Sequence, residues 1–236
     1  FCRTGRRLVA TLLMKHWKIL LFAVLIAALS GWFVAIMRPP GAKPAAPGVD
    51  MPWQISRSQD GRTITVFGLT LGQSTVRDAV NQLGRRYELG LFEDQAGRLS
   101  LEVYFREAVV GGLNARLAMT VHLPDETLIT LKTHAGKGKP AAEGGRRYPV
   151  AEPDHELATG AILTGITFIP VVKFDAGLVQ KRFGEPAERL TGKDGVHWLY
   201  PAIGLDVLLG ANGEAVLQYA PPPEFESRLR APLRQN

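Results

Sequence analysis

Five histidines, one cysteine and a few clustered charges are the groups in this 236-residue chain that could do chemistry. His16, His122, His134, His155 and His197 never fall at a ligand spacing such as His-Glu-x-x-His, which brings two imidazoles to one ion across a helix turn. Asp154, His155 and Glu156 are mere chain neighbours in a loop. The single cysteine, Cys2, excludes an internal disulfide and a multi-cysteine metal site. Gly136-Lys137-Gly138-Lys139 lacks the earlier glycine that a phosphate loop requires, and no Gly-x-Ser-x-Gly elbow is present. Asp125-Glu126 is a paired carboxylate that a turn accounts for. No metal, no cofactor and no catalytic residue is expected, and the chain reads as a non-enzyme.

Aromatic and arginine side chains are the better candidates, and for binding. In "VHWLYP", Trp198 and Tyr200 point one way and His197 and Leu199 the other. Two readings stay open. The aromatic pair packs beneath a helix, or it forms an exposed anchor of the kind that dominates protein interfaces. On an earlier sheet the wet face would carry Glu102, Tyr104, Arg106, Arg116 and His122. The candidate partner-binding residues are Trp198, Tyr200, Tyr104 and Arg116.

The elements that must position these residues can be read by period. Thr63–Phe67 reads as a short strand. Ser74 or Thr75 then caps a helix whose apolar stripe is Val76, Ala79, Val80 and Leu83, with Gly84 at the left-handed C′ position. Glu88–Phe92, "RLSLEVYFR" and "LNARLAMTVHL" alternate as strands, and "TLITLKT" (Thr127–Thr133) is expected to pair antiparallel with the last of them. His134–Asp154 reads as a long mobile loop. One hundred residues after the first helix, Asp175 caps a second, with Ala176, Val179 and Phe183 as its stripe and Gly184 as its stop. Strands "VHWLY", "GLDVLL" and "AVLQY" follow. The repeat points to an internal duplication.

Charge separates the N-terminus from the rest. Residues 1–49 hold seven Lys/Arg and no Asp or Glu, whereas the remainder has 21 basic against 22 acidic residues. The basicity is therefore not on the folded part, and no nucleic-acid partner is expected. Ile19–Met37 is an uncharged run of nineteen residues, about 28 Å long as a helix, flanked by Lys15, Lys18 and Arg38. It reads as a transmembrane anchor in contact with inner-membrane lipid, the N-terminus cytoplasmic by the positive-inside bias. A cleaved signal peptide competes with that reading. A lipoprotein signal fails for want of a cysteine at Trp32. Met14 opens a better start, so residues 1–13 read as upstream of the natural product.

"LTLGQSTVRDAVNQLG" (Leu69–Gly84) resembles the helix motif of the BamE/SmpA small outer-membrane lipoproteins, where a Gly-x-Ser/Thr turn opens the helix and Leu-Gly closes it. "RFGEP" with "DGVHWLYP" resembles the same family's helix end and first strand. β-Lactamase inhibitor protein is similar in architecture, and the second half also resembles proteobacterial membrane proteins carrying "FGEP…WLYP". The resemblance implies a protein-binding envelope component that catalyses nothing.

The expectation is thus an α+β protein: a transmembrane helix followed by two tandem modules, each a short helix packed on an antiparallel β-sheet. Its segments are 1–18 a basic tail, 19–37 the transmembrane helix, 38–62 a Pro/Ala/Gly-rich linker, 63–133 the first module, 134–156 a flexible loop, 157–223 the second module and 224–236 a tail. It is expected in the bacterial inner membrane with a periplasmic domain that binds an envelope protein. The alternative is a periplasmic enzyme or small-ligand carrier with a site between the modules.

Overall fold

Alternation of apolar and polar residues builds the longest strands of this chain, and strands carry most of its described regular structure. The computed structural model describes residues 51–141 and 145–234. Its strands are β1 Ser56–Arg57, β2 Ile64–Val66, β3 Leu69–Thr70, β4 Glu88–Glu93, β5 Leu99–Val110, β6 Leu113–His122, β7 Lys139–Pro140, β8 Arg146–Pro149, β9 Ile162–Pro170, β10 Glu188–Thr191, β11 Val196–Tyr200, β12 Leu205–Leu209 and β13 Ala215–Tyr219. The described α-helices are short: α1 Val76–Leu83, α2 Asp125–His134, α3 His155–Thr159, α4 Ala176–Phe183 and α5 Ala231–Leu233. β1-β2-β3 form a small sheet. The others form one antiparallel ten-stranded sheet in the order β10-β11-β12-β13-β9-β6-β5-β4-β8-β7.

That single sheet corrects the expected fold class. Two separate helix-on-sheet modules would each keep their own sheet. Instead β9 runs along β6 from Ala115↔Pro170 to His122↔Ile162, and it also pairs with β13 through Leu217↔Phe168. β9 joins the two halves through backbone hydrogen bonds, with Leu163, Ile166 and Phe168 buried beneath them. Among the described residues the regular structure is mostly sheet.

The same pairing corrects the reading of Thr127–Thr133. The edge of β6 is occupied by β9, and this segment folds as α2. Asp125 and Glu126 in its first turn and Lys132 and His134 in its last suit the helix dipole. Leu128 and Leu131, one turn apart, bury against Leu91 and Leu101, while Ile129 is exposed.

Both repeated helices have their caps. Asp78 N–H donates to Thr75 Oγ1 (3.2 Å) and Thr75 N–H to Asp78 Oδ2 (2.8 Å), a reciprocal capping box. Leu178 N–H donates to Asp175 Oδ1 (2.7 Å). The terminating glycines differ from the left-handed helical geometry that was expected. Gly84 has φ 108°, ψ 168° and Gly184 φ 79°, ψ −163°, an extended mirror region reached almost only by glycine.

The core lies on one face of the large sheet. Val103, Phe105, Leu117, Met119, Phe168, Leu217 and Tyr219 receive α1, α4 and the small sheet. β2 and β3 are joined by Phe67-Gly68, both with positive φ, the conformation of a tight hairpin turn. A phenylalanine is held there because its ring is fully buried, 5.2 Å from Phe168 and 5.7 Å from Tyr219.

Segments expected as linker, loop and tail belong to the fold where they are described. Trp53 lies 6.3 Å from Phe174 and beneath the Arg182 guanidinium, and Tyr219 OH donates to the Pro52 carbonyl (2.8 Å). Residues 139–149 form a hairpin that extends the sheet beyond β4. Residues 222–233 form successive helical turns whose Phe225 and Leu229 bury against Leu199 and Ala220 on the opposite face.

Localisation is corrected as well. Among the described residues no helix is long and apolar enough to cross a membrane. Single-pass placement in an inner membrane is not supported by them, and the run 19–37 that carried that reading lies outside the described residues.

Candidate functional site

Strand register sorts the four candidate residues onto opposite faces. Cross-strand partners share a face. One row runs Glu188–Leu199–Asp206–Gln218–Thr167–Ala118–Tyr104–Glu88 across eight strands. Tyr104 and Arg116 lie on the face carrying this row. Trp198 and Tyr200 are one residue out of phase with Leu199 and point into the core.

Trp198 and Tyr200 are 7% and 6% exposed, so neither is available as an anchor. Arg189 stacks 4.4 Å above Trp198. Tyr200 packs 5.8 Å from Phe183, and its hydroxyl donates to the Gly184 carbonyl (3.0 Å). It thereby fastens the end of α4, and burial pushes its phenol up to about 12. Of the two open readings, packing beneath the second helix is the one realised.

Tyr104 stands in a half-exposed cluster on the other face. Its ring is 5.8 Å from Phe92, and the Arg147 guanidinium lies 5.7 Å from Phe92 and 5.5 Å from Tyr104. Arg106 binds Glu88 through two contacts (2.6 and 3.1 Å), and Arg147 adds a third (3.1 Å). These donors hold the Glu88 carboxyl down at about 2. Burial, and then donation to the Glu102 carboxylate, push the Tyr104 phenol up. Arg116 is exposed on the same face, opposite Ile169, with no described partner for its guanidinium. Arg106 and Glu107 sit at the bulge between Phe105 and Ala108, where an extra outward residue shifts the alternation and keeps Ala108 and Val110 in the core.

Guanidinium over aromatic rings, flanked by paired charges, presents flat apolar surface and directed donors together. Phe92 and Arg147 were missed as members of the cluster. The sequence marks Phe92 only as part of a short strand and places Arg147 in a supposed loop.

A second polar feature, His197 with Asp206, also escaped the sequence reading. The two are 2.8 Å apart and almost wholly buried. Burial raises the Asp206 carboxyl, and the His197 contact opposes that rise. Among the described residues no group of three or more His, Cys, Asp or Glu is placed to hold a metal ion.

Comparison of the chain with protein-family models, curated proteins and solved structures gives no match.

Proposed function

We propose that the chain is a non-catalytic protein-binding module that meets its partner with the uncovered part of the sheet face around Tyr104 and Arg116. The observation that carries this reading is the Phe92–Tyr104–Arg147 cluster. It holds side chains of the types enriched in interface hot spots, pre-ordered by ring and guanidinium contacts yet still half-exposed. Pre-ordering removes part of the entropy cost of docking. The Glu88–Arg106 pair and Glu102, which accepts from Tyr104, supply a polar rim, and Arg116 a donor with no partner among the described residues.

The resemblance to BamE/SmpA proteins supports the same class of function through its motifs. The alternative, an enzyme or carrier with a site between two separate modules, is less favoured, because among the described residues β9 joins the halves into one sheet.

The test is quantitative capture by immobilised protein, repeated with Tyr104→Ala and Arg116→Glu. A partner retained by wild type and by the surface variant Lys193→Ala, but lost from both test variants, is the expected result. Retention by all variants would sink the proposal.

A further inference from the structure

A cleft of about 550 Å³ opens at the rim of the sheet where β4 begins and β8 ends, within the size range of small-ligand clefts. Its apolar wall is Tyr87, Leu89, Pro149 and Val150, and its polar wall carries Lys137, Lys139 and Arg147. A smaller cleft of about 250 Å³ shares Tyr87 and His155 with it and leads toward Arg77 on α1.

The three cations line one cleft. Lys139 is directly opposite Arg147 in the β7–β8 ladder, so the two share a face, and Lys137, just before β7, lines the same cleft. The acid on the wall, Glu88, is already engaged by Arg106 and Arg147, and those two donors keep it ionised. Neither lysine has a carboxylate partner among the described residues, and the Tyr87 hydroxyl makes no hydrogen bond with any of them. Among the described residues the cleft therefore combines two lysines without a carboxylate partner, a hydroxyl without a hydrogen bond and an apolar wall.

We propose that this cleft binds a small organic anion. Lys137, Lys139 and Arg147 hold its phosphate or carboxylate, and its apolar body lies against Tyr87, Leu89 and Val150. The site adjoins the Tyr104–Arg116 surface and shares Arg147 with its aromatic cluster, but it differs in ligand class, and the lysines that distinguish it lie outside that cluster. An ammonium pair suits an oxyanion as point charges, and the guanidinium adds directed donors. An inorganic ion would leave the apolar wall unused.

The experiment is titration calorimetry of the full chain at low ionic strength with phenyl phosphate, phenylacetate, inorganic phosphate and phenol. One or both aromatic acids should bind, and their ratio separates phosphate from carboxylate recognition. Inorganic phosphate should bind about tenfold more weakly or worse, and phenol not measurably. Lys137→Met with Lys139→Met should weaken the aromatic acid by about tenfold, the order expected for loss of a charge-assisted hydrogen bond. Both lysines are exposed, so this variant keeps the fold, which circular dichroism checks. Tyr87→Ala should erase the preference for the aromatic acid over inorganic phosphate. Equal affinity in wild type and the lysine variant, equal affinity for phenyl and inorganic phosphate, or no binding of either aromatic acid at about millimolar concentration would overturn the proposal.

Discussion

His197 Nδ1 lies 2.8 Å from Asp206 Oδ2 across the β11–β12 hairpin, with both side chains sealed from solvent. Asp206 Oδ1 has no partner among the described residues. A buried carboxylate in this state is a source of pH dependence. Burial raises its pKa above the ordinary 3.8. Between 3.8 and the raised value, the folded state holds a proton that the unfolded chain has released. The contribution of Asp206 to stability therefore falls as pH rises through that window. Asp206→Asn cannot titrate, so its stability relative to wild type should improve across the same window. Urea unfolding of both proteins over a pH series measures this, and a pH-independent difference would contradict the burial argument.

Glu88 should behave in the opposite sense. Its carboxyl is lowered from 4.5 to about 2 by Arg106 and Arg147. The stabilisation is complete above pH 4.5 and is lost as pH falls toward 2. The full shift would correspond to about 3 kcal/mol. The carboxylate side chain is 43% exposed, however, and screening reduces the expected value to about 1 kcal/mol. Glu88→Gln should lose about 1 kcal/mol at pH 7 and show a flatter acid limb. An unchanged acid limb would mean that the arginine clamp adds nothing.

Trp198 and Tyr104 should separate stability from binding. Trp198→Ala removes a buried ring from the core and should cost about 3–5 kcal/mol. That lowers the melting temperature by about 2–4 °C per kcal/mol for a domain of this size. Tyr104→Ala removes a half-exposed ring and should cost about 1 kcal/mol. Its effect should fall on partner binding. Thermal unfolding of the two variants decides this, and a similar loss in both would contradict the division of faces.

Tyr219→Phe should loosen the entry of the chain into the fold. The buried Tyr219 hydroxyl donates to the Pro52 carbonyl at 2.8 Å. Without it, a buried acceptor loses its donor at a cost of about 1–3 kcal/mol. Limited proteolysis should then cut within residues 53–62 earlier than in wild type. An unchanged cleavage pattern would show that the Trp53 contacts alone hold this segment.

Much of the local structure was legible because the responsible interactions are local. The caps at Thr75 and Asp175, the glycine stops at Gly84 and Gly184, and the alternation of β5 and β6 involve residues within a few positions of one another. "TLITLKT" was not legible, since its pattern satisfies a strand and a helix alike. The outcome depended on whether the β6 edge was free. Likewise Phe225 and Leu229 read as tail residues until Leu199 and Ala220 supplied a surface to bury them. The candidate site divided in the same way. The sequence pointed to Tyr104 and Arg116 as wet-face residues, but Arg147 reaches the cluster only because β8 pairs with β4 fifty-five residues away (Phe92↔Arg147).

Taken alone, the sequence determined the short helices, their ends and the two-faced character of the strands, because periodicity and capping act over one or two turns of chain. Tertiary structure decided that the halves share one sheet and that Trp198 and Tyr200 are core. It also decided that His197 meets Asp206 and that Phe92, Tyr104 and Arg147 stand together. The His197–Asp206 contact depends on register within the β11–β12 hairpin, and the others on packing and register between distant segments. A shift of one residue reverses every face, and that choice is made by burial across the whole sheet and not by any local pattern.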